Sequence, residues 1–335
     1  MDLRRRVLLP QPIEEAAVTL LKEAGLEVVL SQDARPETVV PLLKGVQAVI
    51  LRTGIQFTRE LLSHADDLRV ISRTGAGVDN VDVEAATERG ILVTCVPGAN
   101  TNSVVEHTLA LILALVKHLP LMDREVRRDN FGIRFKNLPR DLKGLTLGVV
   151  GMGKIGSELA RVCNQAFGMR ILGHDPYLTA EAKAVFQGLV EFCDMEKLFR
   201  ESDVVSLHIP LLPSTQKLIG ARELGQMKPD AFLVNTSRGG VLDEAALLQC
   251  LREKRIAGAG LDVFAQEPLE KENPLKGLDN VILTPHTAAL TRECVIRLAL
   301  EAASATIAVL ERQRPQGIVN PQVLTQSRWQ GFFLR

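Results

Sequence analysis

Short apolar runs alternate with segments of helical periodicity along almost the whole chain. In the first third, the predicted strands are RRVLLP, EVVL, AVILR, LRVISR and ILVT. Between them, IEEAAVTLLKEAG, PETVVPLLKG and VEAATERG carry apolar residues at helical spacing. Strands that alternate with helices in this way are typical of parallel βαβ units.

The second half repeats this alternation more clearly. The predicted strands are LGVVG, MRILGHD, VVSLHIP, AFLVNTS, AGAGLDVF and VILTPH. Most are apolar on both faces, which favours strands of a buried parallel sheet. Helices are predicted over residues 154–167, 214–226 and 243–253.

Two helical segments predict the domain organisation. An apolar helix from about residue 102 to residue 119 leads into the second half, and a helical pattern at 291–313 follows the last strand. If that last helix packs on the first half, residues 1–101 and 289–335 form one discontinuous domain. Residues 102–288 form a second domain inserted into it. His286 then lies at the crossover between the domains, and clefts between domains commonly bind ligands.

Composition narrows the range of partners. A chain of 335 residues is long enough for two domains, and 46% hydrophobic with 24% charged residues is typical of globular proteins. Forty basic and forty acidic side chains cancel, so we expect no nucleic-acid partner. Three arginines at 4–6 are too few to change this expectation.

Location is inferred from apolar stretches and cysteines. The apolar run at 7–9 is too short for a signal peptide and is followed by prolines. The run at 109–119 is about half the length that crosses a bilayer, which favours a buried or subunit-interface helix. The five cysteines contain no CxxC pair. We therefore expect a cytoplasmic protein without a membrane span, a disulfide framework or a metal site.

A glycine-rich turn predicts a nucleotide site. Gly151, Gly153 and Gly156 form GxGxxG between a predicted strand and a predicted helix. Such glycines allow the backbone to approach a pyrophosphate at a helix N-terminus. Asp175, which ends the next predicted strand, can accept hydrogen bonds from ribose hydroxyls and would repel a 2′-phosphate, so NAD is favoured over NADP. The alternative is a turn that closes a βα unit without binding a nucleotide.

Polar side chains follow three later strands, where open parallel sheets bind ligands. Arg238 follows AFLVN, Glu267 lies beyond AGAGLD, and His286 follows VIL. A histidine can move the proton that accompanies hydride transfer from a hydroxy acid, a carboxylate can hold its imidazole, and an arginine can orient a substrate carboxylate.

Each of these residues has a simpler structural interpretation. Arg238 could be a surface arginine, and Glu267 before Pro268 could start a turn. His208 lies in an apolar strand, where packing or lining a cofactor is commoner than acting as a base. The four remaining histidines have no such set of polar residues near strand ends; they are His64, His107, His118 and His174.

The sequence strongly resembles the D-isomer-specific 2-hydroxyacid dehydrogenases. The segments that carry the resemblance are RTGAGVDNVD, VPGANTNSVVEHTLALILAL, GVVGMGKIG, HIPLLPSTQKLIG, LVNTSRGGVLDEAAL, GLDVFAQEPL and TPHTA, in this order. The resemblance implies an α/β fold of two Rossmann-like parallel-sheet domains, one flavodoxin-like and one doubly wound. In this fold the NAD-binding domain, here 102–288, is inserted into the substrate domain.

The resemblance also implies residue roles. His286 is implied as acid/base, Glu267 as its partner and Arg238 as the substrate-orienting cation. Beside the glycine loop, the implied cofactor contacts are Ile155, Asp175, Thr108, Pro210, Thr215, Thr236 and Asp262. The implied substrate side comprises Arg52, Thr53, Gly75, Ala76, Gly77 and Asn100. Members usually form homodimers through the NAD-binding domain, and the apolar 109–116 segment suits that interface.

Within the family, the sequence resembles phosphoglycerate dehydrogenases and hydroxypyruvate or glyoxylate reductases. Arg52, Arg73 and Arg134 could bind a phosphate-bearing substrate, but Ala76 replaces the threonine common in phosphoglycerate dehydrogenases. The short segment after residue 313 leaves no room for a regulatory domain, so serine feedback through one is not expected. Residues 314–335 are expected to pack on a neighbour or to be disordered.

Two other classes of protein are built on the same fold. Formate dehydrogenases carry glutamine at the position of Glu267, which argues against that activity. NAD-sensing corepressor-like interaction proteins keep the histidine, glutamate and arginine, but they usually carry long flanking tails.

Overall fold

The computed structural model describes residues 5–333. These residues divide into two compact units. The first comprises the described residues up to Asn100 together with those from Leu290 onward, and the second is Thr101–Ala289. The boundaries predicted from the sequence lie one residue from these.

Among the described residues, the first unit is built on a five-stranded parallel sheet of order β2-β1-β3-β4-β5, the flavodoxin-like order. Its strands are β1 (Arg6–Leu9), β2 (Glu27–Leu30), β3 (Ala48–Leu51), β4 (Val70–Arg73) and β5 (Leu92–Thr94). Its helices are α1 (Glu15–Glu23), α2 (Pro36–Val39), α3 (Arg59–Leu62), α4 (Val83–Glu88) and α12 (Arg292–Leu310). The last helix, α12, packs against β3, β4 and α1, as predicted for the returning segment.

The second unit, over its described residues, has a seven-stranded parallel sheet of order β12-β11-β10-β9-β6-β7-β8. Its strands are β6 (Thr146–Val150), β7 (Arg170–His174), β8 (Glu191–Phe192), β9 (Val204–Leu207), β10 (Phe232–Asn235), β11 (Gly258–Leu261) and β12 (Val281–Leu283). Its helices are α5 (Thr101–Val116), α6 (Leu119–Arg127), α7 (Lys154–Phe167), α8 (Ala180–Ala184), α9 (Met195–Glu201), α10 (Ala221–Leu224) and α11 (Glu244–Arg252). Every residue of β6, β9, β10 and β11 is buried, which explains their apolar sequences. The predicted α/β fold with two parallel sheets is confirmed.

The apolar helix at 101–116 ends earlier than predicted. His118 has a left-handed backbone, with φ of 51°, and α6 begins directly after it. Leu111, Ile112 and Leu115 are buried in the core of the second unit. No single helix among the described residues is long and apolar enough to cross a membrane. The bent pair α5 and α6, with 56° between them, meets that criterion jointly by length and composition.

Three other expectations need correction. Helix is limited to Ala221–Leu224 within the predicted 214–226, because Thr215 Oγ1 bonds to the carbonyls of Pro210 and Leu212 and holds a turn. Strand β8 was not predicted, since two residues carry no periodicity. The described part of the C-terminal segment packs on its own unit: Trp329 is 4% exposed and its Nε1 donates to the Gly90 carbonyl at 2.9 Å. Residues 334 and 335 lie outside the described residues.

Candidate active site

The glycine loop joins β6 to α7 beside the point where the strand order reverses. A Cβ atom on Gly151, whose φ is 92°, would lie 2.5 Å from the His208 carbonyl oxygen, and one on Gly156 would lie 2.0 Å from that of Gly151. A Cβ on Gly153 would meet nothing within 4 Å. The loop is therefore tight on its protein side and open at Gly153, which fits the approach of a dinucleotide pyrophosphate to the N-terminus of α7.

Asp175 lies directly after β7, next to this loop. Its Oδ2 accepts a hydrogen bond from the Met152 amide at 2.9 Å, and its Oδ1 accepts one from the Tyr177 amide at 3.0 Å. Two backbone donors thus fix the carboxylate beside the loop. Each carboxylate oxygen can accept more than one bond, so capacity for a ribose hydroxyl remains.

The other predicted cofactor residues fall into two groups. Ile155 is half-buried, and Pro210 is exposed and accepts from Thr215. Thr108 and Asp262 are fully buried, and Thr236 is 8% exposed. Thr108 Oγ1 lies 2.8 Å from Thr236 Oγ1. Full burial does not favour direct contact of the Thr108 and Asp262 side chains with a cofactor.

The turn after β10 carries Arg238. Asn235 Nδ2 donates to the Arg238 carbonyl at 2.9 Å, and Asn235 Oδ1 accepts from the Ser237 amide and hydroxyl. The Arg238 side chain is half-buried, and its Nη1 donates to the Ser237 carbonyl at 2.7 Å. These contacts set the direction in which the turn leaves the strand.

His286 and Glu267 form the pair predicted from the sequence. His286 Nδ1 lies 2.7 Å from Glu267 Oε2, and the two side chains are 41% and 36% exposed. Glu267 Oε1 accepts from the Phe264 amide at 3.0 Å. Burial alone would raise the pKa of Glu267, but the hydrogen bonds from His286 and Phe264 and the charge of Arg238 outweigh it and hold that pKa below its usual value. An imidazole with its Nδ1 held by a carboxylate has Nε2 left for proton exchange.

Asp262 is the anchor of the loop that carries His286. The His286 amide donates to the Asp262 carbonyl at 2.7 Å. The Asp262 carboxylate accepts from the amides of Thr287 and Ala288, both at 2.9 Å, and from Thr284 Oγ1 at 2.6 Å. Burial disfavours the charged form of Asp262, yet these bonds and one from His107 lower its pKa. The anchor holds His286 in a left-handed backbone, with φ of 54°, which is uncommon for a residue with a side chain.

His107 was missed by the sequence interpretation. Its Nε2 lies 3.0 Å from Thr284 Oγ1 and 3.4 Å from Asp262 Oδ1. The helical pattern around it predicted only a buried helix, and no local signal indicates that this helix faces the end of β12. Only the packing of α5 on β10 and β11 places it there.

The remaining histidines do not join this set. His208 lies with Nε2 2.8 Å from Ser206 Oγ, and burial lowers its pKa from 6.5 to about 4. His174 bonds to the Cys193 carbonyl. Across residues 5–333, no group of three histidine, cysteine or acidic side chains is arranged to hold a metal ion.

The predicted substrate residues lie in the first unit, after β3, β4 and β5. Arg52 Nη1 is 3.3 Å from Glu14 Oε1, Thr53 and Ala76 are exposed, and Gly75, Gly77 and Asn100 are half-buried. Arg73 is 8% exposed and donates to Asn80 and to the Leu51 carbonyl, so it braces the turn. In the second unit, the Arg134 guanidinium lies 4.7 and 4.6 Å from the ring centres of Phe131 and Phe135.

Known proteins share both sequence and fold with this chain. A D-3-phosphoglycerate dehydrogenase of Methanocaldococcus jannaschii is 39% identical over 324 residues, which cover 96% of this chain and 61% of the relative. The chain spans about three fifths of the length of the curated relatives it matches.

Solved structures match this chain over nearly the whole length of both proteins. The TT0316 protein of Thermus thermophilus superposes with a TM-score of 0.85 at 37% identity, covering 94% of this chain and 99% of that one. An NADPH-dependent glyoxylate/hydroxypyruvate reductase of Sinorhizobium meliloti, in complex with NADP and malonate, gives 0.82 at 29% identity, covering 94% and 97%.

The second unit carries the family signature. The family model for the NAD binding domain of D-isomer specific 2-hydroxyacid dehydrogenases matches residues 109–288, from the middle of α5 to the loop of His286. Together with the fold and the similarity along nearly the whole chain, this match shows that the protein belongs to the D-isomer specific 2-hydroxyacid dehydrogenase family.

Proposed function

We propose that the protein is an NAD-dependent dehydrogenase that interconverts a D-2-hydroxy acid and its 2-keto acid. The observation that carries this proposal is the contact of 2.7 Å between His286 Nδ1 and Glu267 Oε2, on the unit that contains the NAD binding domain. A histidine held by a carboxylate is a proton carrier, and hydride transfer at a hydroxyl-bearing carbon needs one.

A nicotinamide cofactor held beside the Gly151–Gly156 loop would supply the hydride for reduction of the carbonyl carbon. In that direction His286 gives its Nε2 proton to the developing alkoxide, and Glu267 stabilises the imidazolium that precedes this step. Arg238 orients the substrate carboxylate and polarises the carbonyl. In the first unit, the turn of Gly75, Ala76 and Gly77 is proposed as a backbone nest for an anion, since glycines permit such a nest.

The cofactor is assigned as NAD rather than NADP because of Asp175. Its carboxylate, which accepts a hydrogen bond from the Met152 amide, would lie beside the adenosine ribose and repel a 2′-phosphate. The neighbouring reductase of Sinorhizobium meliloti uses NADPH, so the fold alone does not choose between the two. The charge of this single side chain supports the choice.

The substrate is assigned to the class of 3-phosphoglycerate, hydroxypyruvate and glyoxylate. The names of the relatives support this class. Arg52, Thr53 and Asn100 line the substrate side in this proposal. Arg73 supports it less directly than its sequence position indicated, because its guanidinium already bonds to Asn80 and Leu51.

The chain is further proposed to form a homodimer through the second unit. The apolar residues of the 109–116 segment mostly fill the core of their own unit, so they support this less than expected. Large apolar side chains are instead exposed on the segment that follows; they are Leu119, Val126, Phe131, Phe135 and Leu138. Light scattering of the wild type and of Phe131→Glu tests this assignment, which requires a dimer that the substitution dissociates.

The central experiment compares NADH oxidation with glyoxylate, hydroxypyruvate, phosphohydroxypyruvate, pyruvate and 2-ketoglutarate by kcat/KM. His286→Ala is expected to lower kcat by about 10²- to 10⁴-fold while NADH binding stays nearly intact. Retention of more than about a tenth of the activity would contradict the proton role of His286. Wild-type inactivity with the whole panel would favour the corepressor-like alternative.

A further inference from the structure

We propose that His107 is a positioning residue that holds the loop of His286 by donating a hydrogen bond through Nε2. The inference deepens the proposed function and rests on it to the extent that His286 is the proton carrier. All residues involved belong to the second unit.

His107 is part of a helix that packs in the core of the second unit. It lies on α5, whose neighbouring residues Val105, Leu111 and Ile112 are buried in the core of the unit. Its side chain is 23% exposed, and its Nε2 lies between Thr284 Oγ1 and Asp262 Oδ1 at 3.0 and 3.4 Å. A helix packed in the core thus places His107 Nε2 beside Thr284, the residue that begins the TPHTA loop.

The hydrogen of the contact between His107 and Thr284 belongs to His107 Nε2. Thr284 Oγ1 donates to Asp262 Oδ1 at 2.6 Å, and a hydroxyl has only one proton to donate. Toward His107, Thr284 Oγ1 is therefore an acceptor. The ionised Asp262 carboxylate has no proton to offer either. His107 Nε2 must therefore carry the hydrogen and donate it to Thr284 Oγ1, with Asp262 Oδ1 as a second, more distant acceptor.

The contact of His107 with Thr284 and Asp262 is linked to His286 through the Asp262 carboxylate. The same Asp262 carboxylate accepts from the amides of Thr287 and Ala288, directly after His286. The left-handed backbone of His286 persists only if the surrounding bonds hold it there. Removing the His107 donor leaves Thr284 free to turn away from Asp262, and the anchor of the loop then loosens.

The next residue of the same helix reinforces the assignment. Thr108 Oγ1 lies 2.8 Å from Thr236 Oγ1, two residues before Arg238. Consecutive residues of α5 therefore contact the segments that carry both His286 and Arg238. One helical turn sets the position of two loops from separate strands.

Three substitutions at one position separate a specific donor from general packing. A glutamine amide places its N–H near the position of Nε2, whereas an asparagine amide reaches only that of Nδ1, and leucine has no donor. We expect His107→Gln to keep at least a third of the wild-type kcat. His107→Asn and His107→Leu should lose about tenfold or more, because a small misplacement of a catalytic group is costly. Affinity for NADH, measured by fluorescence titration, should change less than about threefold in all three.

Amide hydrogen exchange supplies a readout that needs no activity. Protection of the Thr287 and Ala288 amides should fall about tenfold in His107→Leu and His107→Asn and stay near wild type in His107→Gln, since one hydrogen bond is worth about that factor. Core amides of β10 should be unchanged in all variants. His64→Leu, a substitution of an exposed histidine in the first unit, is the matched control and should leave both amides and kcat unchanged.

The outcomes separate this inference from the proposed function. Unchanged protection at 287 and 288 in His107→Leu, or equal behaviour of the glutamine and asparagine variants, would overturn the positioning role. Suppose that His107→Leu loses protection at 287 and 288 but the wild type reduces no keto acid. That result would support the positioning role and refute the dehydrogenase activity. A uniform loss of NADH binding and of β10 protection would show that His107 only supports the fold, which also overturns the inference.

Discussion

Gly239 lies so close to Phe264 that a Cβ atom on the glycine would be 1.9 Å from the Phe264 carbonyl carbon. The turn that carries Arg238 therefore packs directly against the backbone of the turn that leads to Glu267. The Phe264 amide in turn donates to Glu267 Oε1 at 3.0 Å. The absence of a side chain at position 239 is thus what allows the two turns to approach each other this closely.

Gly239→Ala is therefore expected to damage both stability and activity. The added methyl group meets backbone atoms, which cannot turn away, so we expect a cost of about 3 kcal/mol or more and a fall in kcat of at least tenfold. Gly240→Ala is the matched control for stability, because its Cβ would meet only the flexible Leu211 side chain at 2.9 Å. Thermal unfolding and steady-state kinetics measure the difference, and equal melting temperatures for the two variants would contradict the steric argument.

Glu267→Gln tests the charge of the histidine partner at nearly constant size. Hydrogen bonds hold the pKa of Glu267 below its usual value, so its charge is present at neutral pH and is lost only as the pH falls through that lowered value. The variant lacks the charge at every pH, and we expect kcat to fall at least tenfold between pH 6 and 8 with NADH affinity unchanged. A kcat within twofold of wild type would show that the carboxylate charge is not needed.

Asp175→Asn tests the cofactor choice. Asparagine can still accept from the Met152 amide but carries no charge, so the loop contact is kept while repulsion of a 2′-phosphate is removed. The wild type should prefer NADH, and the ratio of kcat/KM for NADPH to that for NADH should rise at least tenfold in the variant. A wild type that prefers NADPH would refute the role given to Asp175.

His208 predicts an acid-dependent loss of stability. Burial lowers the pKa of His208 from 6.5 to about 4. Between about pH 6.5 and pH 4, the unfolded chain therefore binds a proton at this residue that the folded chain does not bind. Folding stability should therefore decline as the pH falls from 6.5 towards 4. In His208→Gln, which can keep the contact with Ser206 Oγ, the decline should be shallower. Urea unfolding at several pH values measures this, with His64→Gln as the exposed control, which should follow the wild type.

Most of the fold follows from local pattern. Buried parallel strands such as β6 and β10 need side chains that are apolar on both faces, and this requirement is visible in the sequence as LGVV and FLVN. The predictions were wrong where a few contacts override periodicity. The helix expected over 214–226 is mostly replaced by a turn that Thr215 holds. The helix from 101 ends at Val116, before the left-handed backbone of His118.

The sequence by itself determined the strand order along the chain, the glycine loop and the identity of the polar residues that follow each strand. Parallel strands bring those residues to one edge of a sheet, so Arg238, Glu267 and His286 could be grouped without coordinates. Only the tertiary structure decided that Asp262 turns its carboxylate to the TPHTA loop and that His107 completes this anchor. The direction of a side chain at a strand end depends on backbone dihedral angles and on contacts between segments far apart in the chain. Periodicity reports which face of an element is buried, and it does not report which distant atom that face meets.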